Sequence, residues 1–171
     1  MDFEKYYDGV PETMSDEVLD LVERNKSDFV VWDNYHDSDT AMSSFFWNYK
    51  TDDSYIALND ENDIIGLGCF DPRCDREDIP IEDSTFSYLS LIMVDENYRG
   101  RGIGEVIFDK MASDCLDQGS SPMVLCTWEG NQAMIGMMEK KSFKIFSVKK
   151  NHRYNGQDSL YFRKDFEINS K

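Results

Sequence analysis

Tyr98-Arg99-Gly100-Arg101-Gly102-Ile103-Gly104 joins an apolar run, Tyr88 to Val94, to an amphipathic run, Ile103 to Leu116. Strand, glycine turn, helix is an arrangement that holds phosphate. Gly100, Gly102 and Gly104 let backbone N–H groups converge on an anion with no Cβ atoms in the way. The start of the helix adds N–H groups without intrahelical partners and a favourable dipole. Arg99 and Arg101 place two positive charges side by side in a chain of formal net charge -16.

Several readings of this turn compete. A dinucleotide fingerprint takes Gly100 and Gly102, but its third glycine falls on Glu105, a carboxylate where phosphate should approach. A P-loop needs Gly-Lys-Ser or Gly-Lys-Thr at its end, and neither occurs. What remains is a pyrophosphate cradle of another type, or an exposed strand-to-helix turn with incidental arginines. The helix that follows places Ile103, Val106, Ile107, Met111 and Cys115 at intervals of three and four, with Glu105, Asp109 and Asp114 on the other side. One face then packs on a sheet, and packing fixes the N–H groups at its start.

Working outward, the pattern is that of a single mixed α/β domain spanning residues 1–171, without repeats or a dividing linker. Phe3 to Tyr7 reads as a first strand. Ser15 to Arg24 reads as a helix with Val18, Leu19, Leu21 and Val22 inward. Phe29 to Tyr35 is apolar and ambiguous. Ser38 or Asp39 caps a second helix running to Lys50, with Ala41, Met42, Phe45 and Phe46 inward. Ser54 to Asn59 and Ile64 to Phe70 are strands joined by Asp60-Glu61-Asn62-Asp63. Asp71 to Thr85, with Pro72 and Pro80, reads as an irregular acidic loop. Phe86 to Val94 is the central strand, and Pro122 to Thr127, Ile145 to Lys150 and Ser159 to Phe166 complete the set.

The chain has 171 residues, 34 of them acidic and 18 basic. A phosphate backbone would be repelled, so no nucleic-acid surface is expected; the charge suits a cationic amine or serves solubility alone. Cys69, Cys74, Cys115 and Cys126 are scattered and only His36 and His152 occur, so no metal site is expected. Cys69, Cys115 and Cys126 lie in apolar settings typical of small core residues. No basic-then-apolar leader or membrane span is present, and the expected location is the cytoplasm.

Arg99-x-x-Gly102-x-Gly104, with Leu91 to Tyr98 before it, resembles the acetyl-coenzyme A motif of the GCN5-related N-acetyltransferases (GNAT family). The likeness continues through a helix, a strand, and Asn131-Gln132-Ala133-Met134 onward to Ser142-Phe143, and covers roughly residues 54 to 166. It implies the acyl-CoA N-acyltransferase fold, a mixed, mostly antiparallel sheet flanked by helices. It implies acetyl-CoA as cosubstrate and an acceptor amine on a small molecule, peptide or protein. Homodimers are common in the family. The resemblance further implies that the backbone of Ile92, Met93 and Val94 holds pantetheine, with the N–H of Met93 or Val94 facing the thioester oxygen. A bulge in that strand is expected to open the slot. The amides from Arg99 through Gly100, Arg101, Gly102, Ile103 and Gly104 would take the pyrophosphate, with the arginine side chains secondary. Asn131 would bond the cofactor arm, or cap the following helix.

Two departures matter. Met138 stands where many members carry a tyrosine that protonates the leaving thiolate, and a thioether has no proton to give. Ser142 replaces the glycine before the aromatic residue, which suggests that this helix does not end in a left-handed residue. Tyr154 or Tyr161 is the substitute acid, or water serves. Glu129, at the exit of a strand, is the candidate base or attractor of a cationic substrate, and Ser87 and Ser90 are positioned to orient a water. The leading expectation is direct acetyl transfer to a primary amine, with Glu129 and Tyr154 as catalytic candidates. The alternative is an acyl-CoA-binding or protein-interaction module with little turnover, for which Met138 is the main support.

Overall fold

The computed structural model describes residues 1–25 and 51–166. In chain order its elements are β1 (Asp2–Tyr6), α1 (Ser15–Asn25), β2 (Asp53–Leu58), β3 (Ile64–Cys74), β4 (Phe86–Val94), α2 (Ile103–Asp117), β5 (Met123–Trp128), α3 (Gln132–Lys140), β6 (Lys144–Lys149) and β7 (Ser159–Lys164). The strands make one seven-stranded sheet in the order β1-β2-β3-β4-β5-β7-β6. All neighbours are antiparallel except β4 and β5, which run parallel and are joined by α2 as the crossover. This is the mixed, mostly antiparallel sheet with flanking helices that the sequence implies. The expected apolar segment Phe29 to Tyr35, the helix from Ser38 or Asp39 to Lys50, and His36 lie outside the described residues.

Alternation along β2 sorts the core into two faces. Tyr55 and Ala57 turn towards α2, where Ile103, Ile107, Met111 and Cys115 pack with Phe70 and Leu89. Ile56 and Leu58 turn the other way, onto Val18, Leu21 and Val22 of α1. A third cluster of Phe86, Tyr88, Val124 and Tyr161 also includes Cys74 and Ile79. The contact between α2 and β3 is close because β3 carries Gly66 and Gly68 there. A Cβ at Gly68 would stand 2.3 Å from Ile107 Cγ2 and 2.8 Å from Met111 Sδ.

The central strand changes partners halfway. Phe70 pairs with Leu89 and Cys69 with Leu91, which leaves Ser90 as an extra residue, a β-bulge. Up to the bulge, Leu89 faces α2 while Phe86 and Tyr88 face away. Past it, Ile92 and Val94 lie on the α2 side and Leu91 and Met93 on the α1 side. One inserted residue has inverted the alternation. At the same point β5 leaves: the parallel pairing covers only Ser87, Tyr88 and Leu89. Beyond Leu89 the β5-facing edge of β4 has no strand partner among the described residues.

Some expectations fail for physical reasons. β3 does not stop at Phe70 but continues through Pro72 to Cys74; a register shift between Asp71 and Cys74 accommodates a residue without an N–H. Leu19 and Val106 sit on solvent faces, 37% and 41% exposed, and Phe108 rather than Val106 is buried on α2. Ser142 is left-handed after all, with φ 64°. Its N–H reaches Glu139 O at 3.0 Å and the Phe143 N–H reaches Met138 O at 2.9 Å, the paired bonds of a Schellman ending. Phe143 and Met138 share the α2-side core, and that burial holds serine in a conformation it does not favour.

Two stability effects follow. Gly68→Val drives a side chain into Ile107 and Met111 and should lower stability by about 1–3 kcal/mol, read as a fall in the urea midpoint at unchanged slope. Ser142→Gly relieves the left-handed strain and should raise stability by about 0.5–1 kcal/mol in the same measurement.

Candidate active site

A cleft of about 580 Å³ lies where β4 and β5 part. One wall is β4 from Ile92 to Val94 with the turn from Tyr98 to Glu105, and the other is Trp128, Gly130, Asn131 and the first turns of α3. Asn25, at the end of α1, closes one side. Ile103, Met134 and Met137 line it, so part of the lining is apolar and adaptable.

The turn is built to present donors. Asp95 starts it, accepting the Asn97 N–H at 3.0 Å and the Arg24 Nε at 3.1 Å. Burial pushes the Asp95 carboxyl up, but the Asn97 and Arg24 donors outweigh this and hold it below the ordinary carboxylate range. Gly100 and Gly102 then take φ of 74° and 80°, the left-handed region where glycine is at home. The first helical bond runs from Val106 N–H to Gly102 O at 3.0 Å. Between Arg99 and Val106, the N–H groups of Gly100, Arg101, Gly102, Ile103, Gly104 and Glu105 meet no acceptor among the described residues. Clustered N–H groups at the head of a fifteen-residue helix are chemically suited to an anion. A Cβ at Gly104 would rest at 3.5 Å from Val94 and 3.7 Å from Ile92, ordinary contact, so this position is less demanding than the other two.

The two arginines serve the turn. Arg99 Nε donates to the Val94 carbonyl at 3.0 Å and its Nη2 to Asn25 Oδ1 at 2.5 Å. Asn25 is itself buried and donates to Leu21 O at 2.7 Å. Arg99 therefore ties the end of α1 to the end of β4. Arg101 donates to Asn97 O at 3.1 Å and lies 4.9 Å above the Tyr98 ring, outside the cleft wall. Glu105, on the wall, is paired with Lys140 Nζ at 2.8 Å, which holds its carboxyl low and offsets its charge near the anion site.

The structure thus brings together Ile92, Met93, Val94, Arg99, Gly100, Gly102, Ile103, Gly104 and Asn131 on one cleft. Asn131 caps α3, its Oδ1 accepting the Met134 N–H at 3.2 Å while its Nδ2 donates to Thr127 Oγ1 at 3.0 Å. Glu129 and Tyr154 do not line the cleft. Glu129 is exposed and accepts the Asp158 N–H at 3.1 Å, securing β5 to the β6–β7 hairpin; Tyr154 is 59% exposed in that hairpin. Tyr161 is buried in the core, where burial pushes its hydroxyl far up. Met138 is fully buried beneath α3, so the cleft face of this helix offers methionines and no proton donor at that position. His152 Nδ1 lies 2.9 Å from Ser159 Oγ, half-buried within the same hairpin.

All four cysteines are free. Burial pushes the Cys69 thiol up to about 12 and those of Cys74 and Cys115 to about 11, and Cys126 is raised in the same way. At neutral pH each is a neutral thiol, suited to the core rather than to nucleophilic attack. Among the described residues no cluster of His, Cys, Asp or Glu has the arrangement of a metal site. No helix there is long and apolar enough to cross a membrane. A second groove, about 780 Å³, opens at the far end of α2 and is lined by Asp8, Asp53, Asp71, Asp114 and Asp117 with Lys5 and Arg73. It has neither glycine turn nor helix start.

Asn25 was not foreseen as a cleft residue. It acts through Arg99, 74 residues away, and no local pattern marks that pairing.

No curated protein sequence matches the chain. Solved structures do share its fold. A ribosomal-protein-alanine N-acetyltransferase from Brucella melitensis superposes with TM-score 0.71 at 17% identity, over 97% of this chain and 100% of that one. The NatC complex bound to Gag peptide and CoA gives 0.71 at 15%, over 97% and 99%. Chaetomium thermophilum Naa20 in complex with a bisubstrate analogue gives 0.70 at 12%, over 98% and 88%. At such identities the likeness is one of fold. The family model described as Acetyltransferase (GNAT) family matches residues 16–143, the span that holds the parted strands, the glycine turn and α3, and the chain belongs to that family.

Proposed function

We propose that this chain transfers the acetyl group of acetyl-CoA directly to a primary amine. The observation that carries the reading is the continuity of one surface. Unpartnered N–H groups of the Gly100–Glu105 turn lead onto the open edge of β4, which ends at the Ser90 bulge where β5 closes. A diphosphate suits the turn, and a pantetheine amide chain suits an unpaired strand edge. From Val94 down to Ser90 that edge spans roughly 13 Å at the usual rise of an extended strand. The apolar side of Met134 and Met137 excludes water from the arm. In this reading Ile92, Met93 and Val94 hold the arm, the amides from Gly100 to Gly104 hold the diphosphate, and Arg99 sets the spacing between them. Asn131, which caps α3, borders the arm.

The reaction asks little covalent chemistry of the protein. It must place the amine beside the thioester carbon, remove a proton from the ammonium, and donate to the developing oxyanion. The acceptor is favoured to be a peptide or protein amine, since similar folds include a ribosomal-protein-alanine N-acetyltransferase and a complex bound to a peptide. A second reading, a CoA-binding module without turnover, is favoured by the burial of Met138 alone.

Two measurements check the proposal. Gly102→Ala puts a Cβ on a left-handed residue at the helix start; coenzyme A affinity should fall severalfold by calorimetry, for about 1 kcal/mol of strain. With labelled acetyl-CoA, label should move to one class in a panel of free-N-terminus peptides, an N-blocked lysine peptide and spermidine. Tight coenzyme A binding with no labelled amine in any class would establish the module instead.

A further inference from the structure

The bulged residue of β4 has a partner that the acetyl-transfer reading leaves unused. Ser90 Oγ lies 2.6 Å from Asp52 Oδ2 and 3.0 Å from the Cys69 carbonyl. Asp52 immediately precedes β2, and its Oδ1 accepts from Thr51 Oγ1 at 3.2 Å. Ser90 is also the residue at which β4 loses β5, two residues before Ile92, where the lining of the cleft begins. A carboxylate is thereby hydrogen-bonded to the strand residue at which the cleft-forming edge begins.

We propose that Asp52, acting through Ser90, takes the proton that the acceptor amine must lose. This rests on the acetyl-transfer reading of the cleft. Ser90 Oγ has lone pairs left to meet an ammonium. As the N–H proton passes to Ser90 Oγ, the hydroxyl proton of Ser90 passes to Asp52, which goes from carboxylate to carboxylic acid. The ammonium becomes a neutral amine. Its lone pair forms the C–N bond, the C–S bond breaks with the electron pair leaving on sulfur, and the second N–H proton neutralises the thiolate. Asp52 also lines the open groove of about 780 Å³ at the end of α2, and through it the proton returns to solvent. Ser90 touches the substrate; Asp52 positions and recharges it.

The surroundings suit that role. Among the described residues, Asp52 faces Cys69, Asp71 and Cys74 of β3, Arg76 beyond it, and Ser90 of β4. Burial pushes the Asp52 carboxyl above the ordinary range and Asp71 adds to the rise, against the Ser90 hydrogen bond and Arg76. The group is thus a stronger base than a surface aspartate.

The test uses the full chain and the best acceptor from the amine panel. For wild type, kcat/KM should rise with pH through the Asp52 carboxyl, above the ordinary carboxylate range, and then level. In Asp52→Asn the rate at pH 6 should fall about 100-fold with an unchanged KM for acetyl-CoA. The deficit should shrink about tenfold per pH unit towards the amine's own pKa, about 8 for a peptide α-amine. Ser90→Ala should behave alike, and Asp52→Glu should restore part of the rate and the acid limb. A uniform loss at every pH, or no loss, overturns the proposal while leaving acetyl transfer standing. If wild type transfers to no amine, that reading fails separately. Carboxyl NMR then decides the pairing: a raised Asp52 titration that shifts in Ser90→Ala supports it, and an ordinary, unshifted one overturns it.

Discussion

The parting of β4 from β5 after three paired residues is the constraint on which the rest depends. A parallel pair in the middle of a sheet would ordinarily continue to the end of both strands. Here the extra residue at Ser90 bends β4 and inverts its alternation, while β5 stays with β7 through Trp128. An unpaired strand edge is costly to leave beside apolar surface, because its N–H and C=O groups keep their need for partners. The same need makes it a receptor for an extended amide chain. In the acetyl-transfer reading, fold and binding surface are in this sense one feature.

The site also answers an electrostatic question. In the acetyl-transfer reading a chain of net charge -16 would hold an anion because the attraction is local and directional. It would come from main-chain donors and a helix dipole, and the Glu105 carboxylate on the cleft wall is offset by Lys140. Exposed charges farther off are screened within about 8–10 Å at physiological salt. The arginines of the turn hold its shape, Arg99 bonding Val94 and Asn25, and Arg101 bonding Asn97.

What could be seen in the linear chain was whatever local periodicity and glycine placement encode. The central strand appears at its expected bounds, and the turn and α2 follow as their spacing requires. Pattern failed where tertiary packing overruled it. Pro72 sits within a strand because a register shift spares it a bond, and Ser142 turns left-handed because Phe143 and Met138 are buried together. Leu19 and Val106 show that an apolar residue in a helix need not face inward. Side-chain pairs between distant segments, Arg99 with Asn25 and Ser90 with Asp52, leave no trace in spacing at all. The place of Glu129 after a strand is legible in the chain, but the bond of its carboxylate to the Asp158 N–H of the hairpin is not.

The Arg99–Asn25 bond makes the mouth of the cleft and the last residue of α1 a single mechanical joint. The guanidinium bonds the Asn25 amide, and that amide bonds the Leu21 carbonyl one turn back, so the glycine turn is anchored to the last turn of α1. Two stretches far apart in the gene product thus share one corner, and a substitution at Asn25 would reach the cleft mouth without touching its glycines.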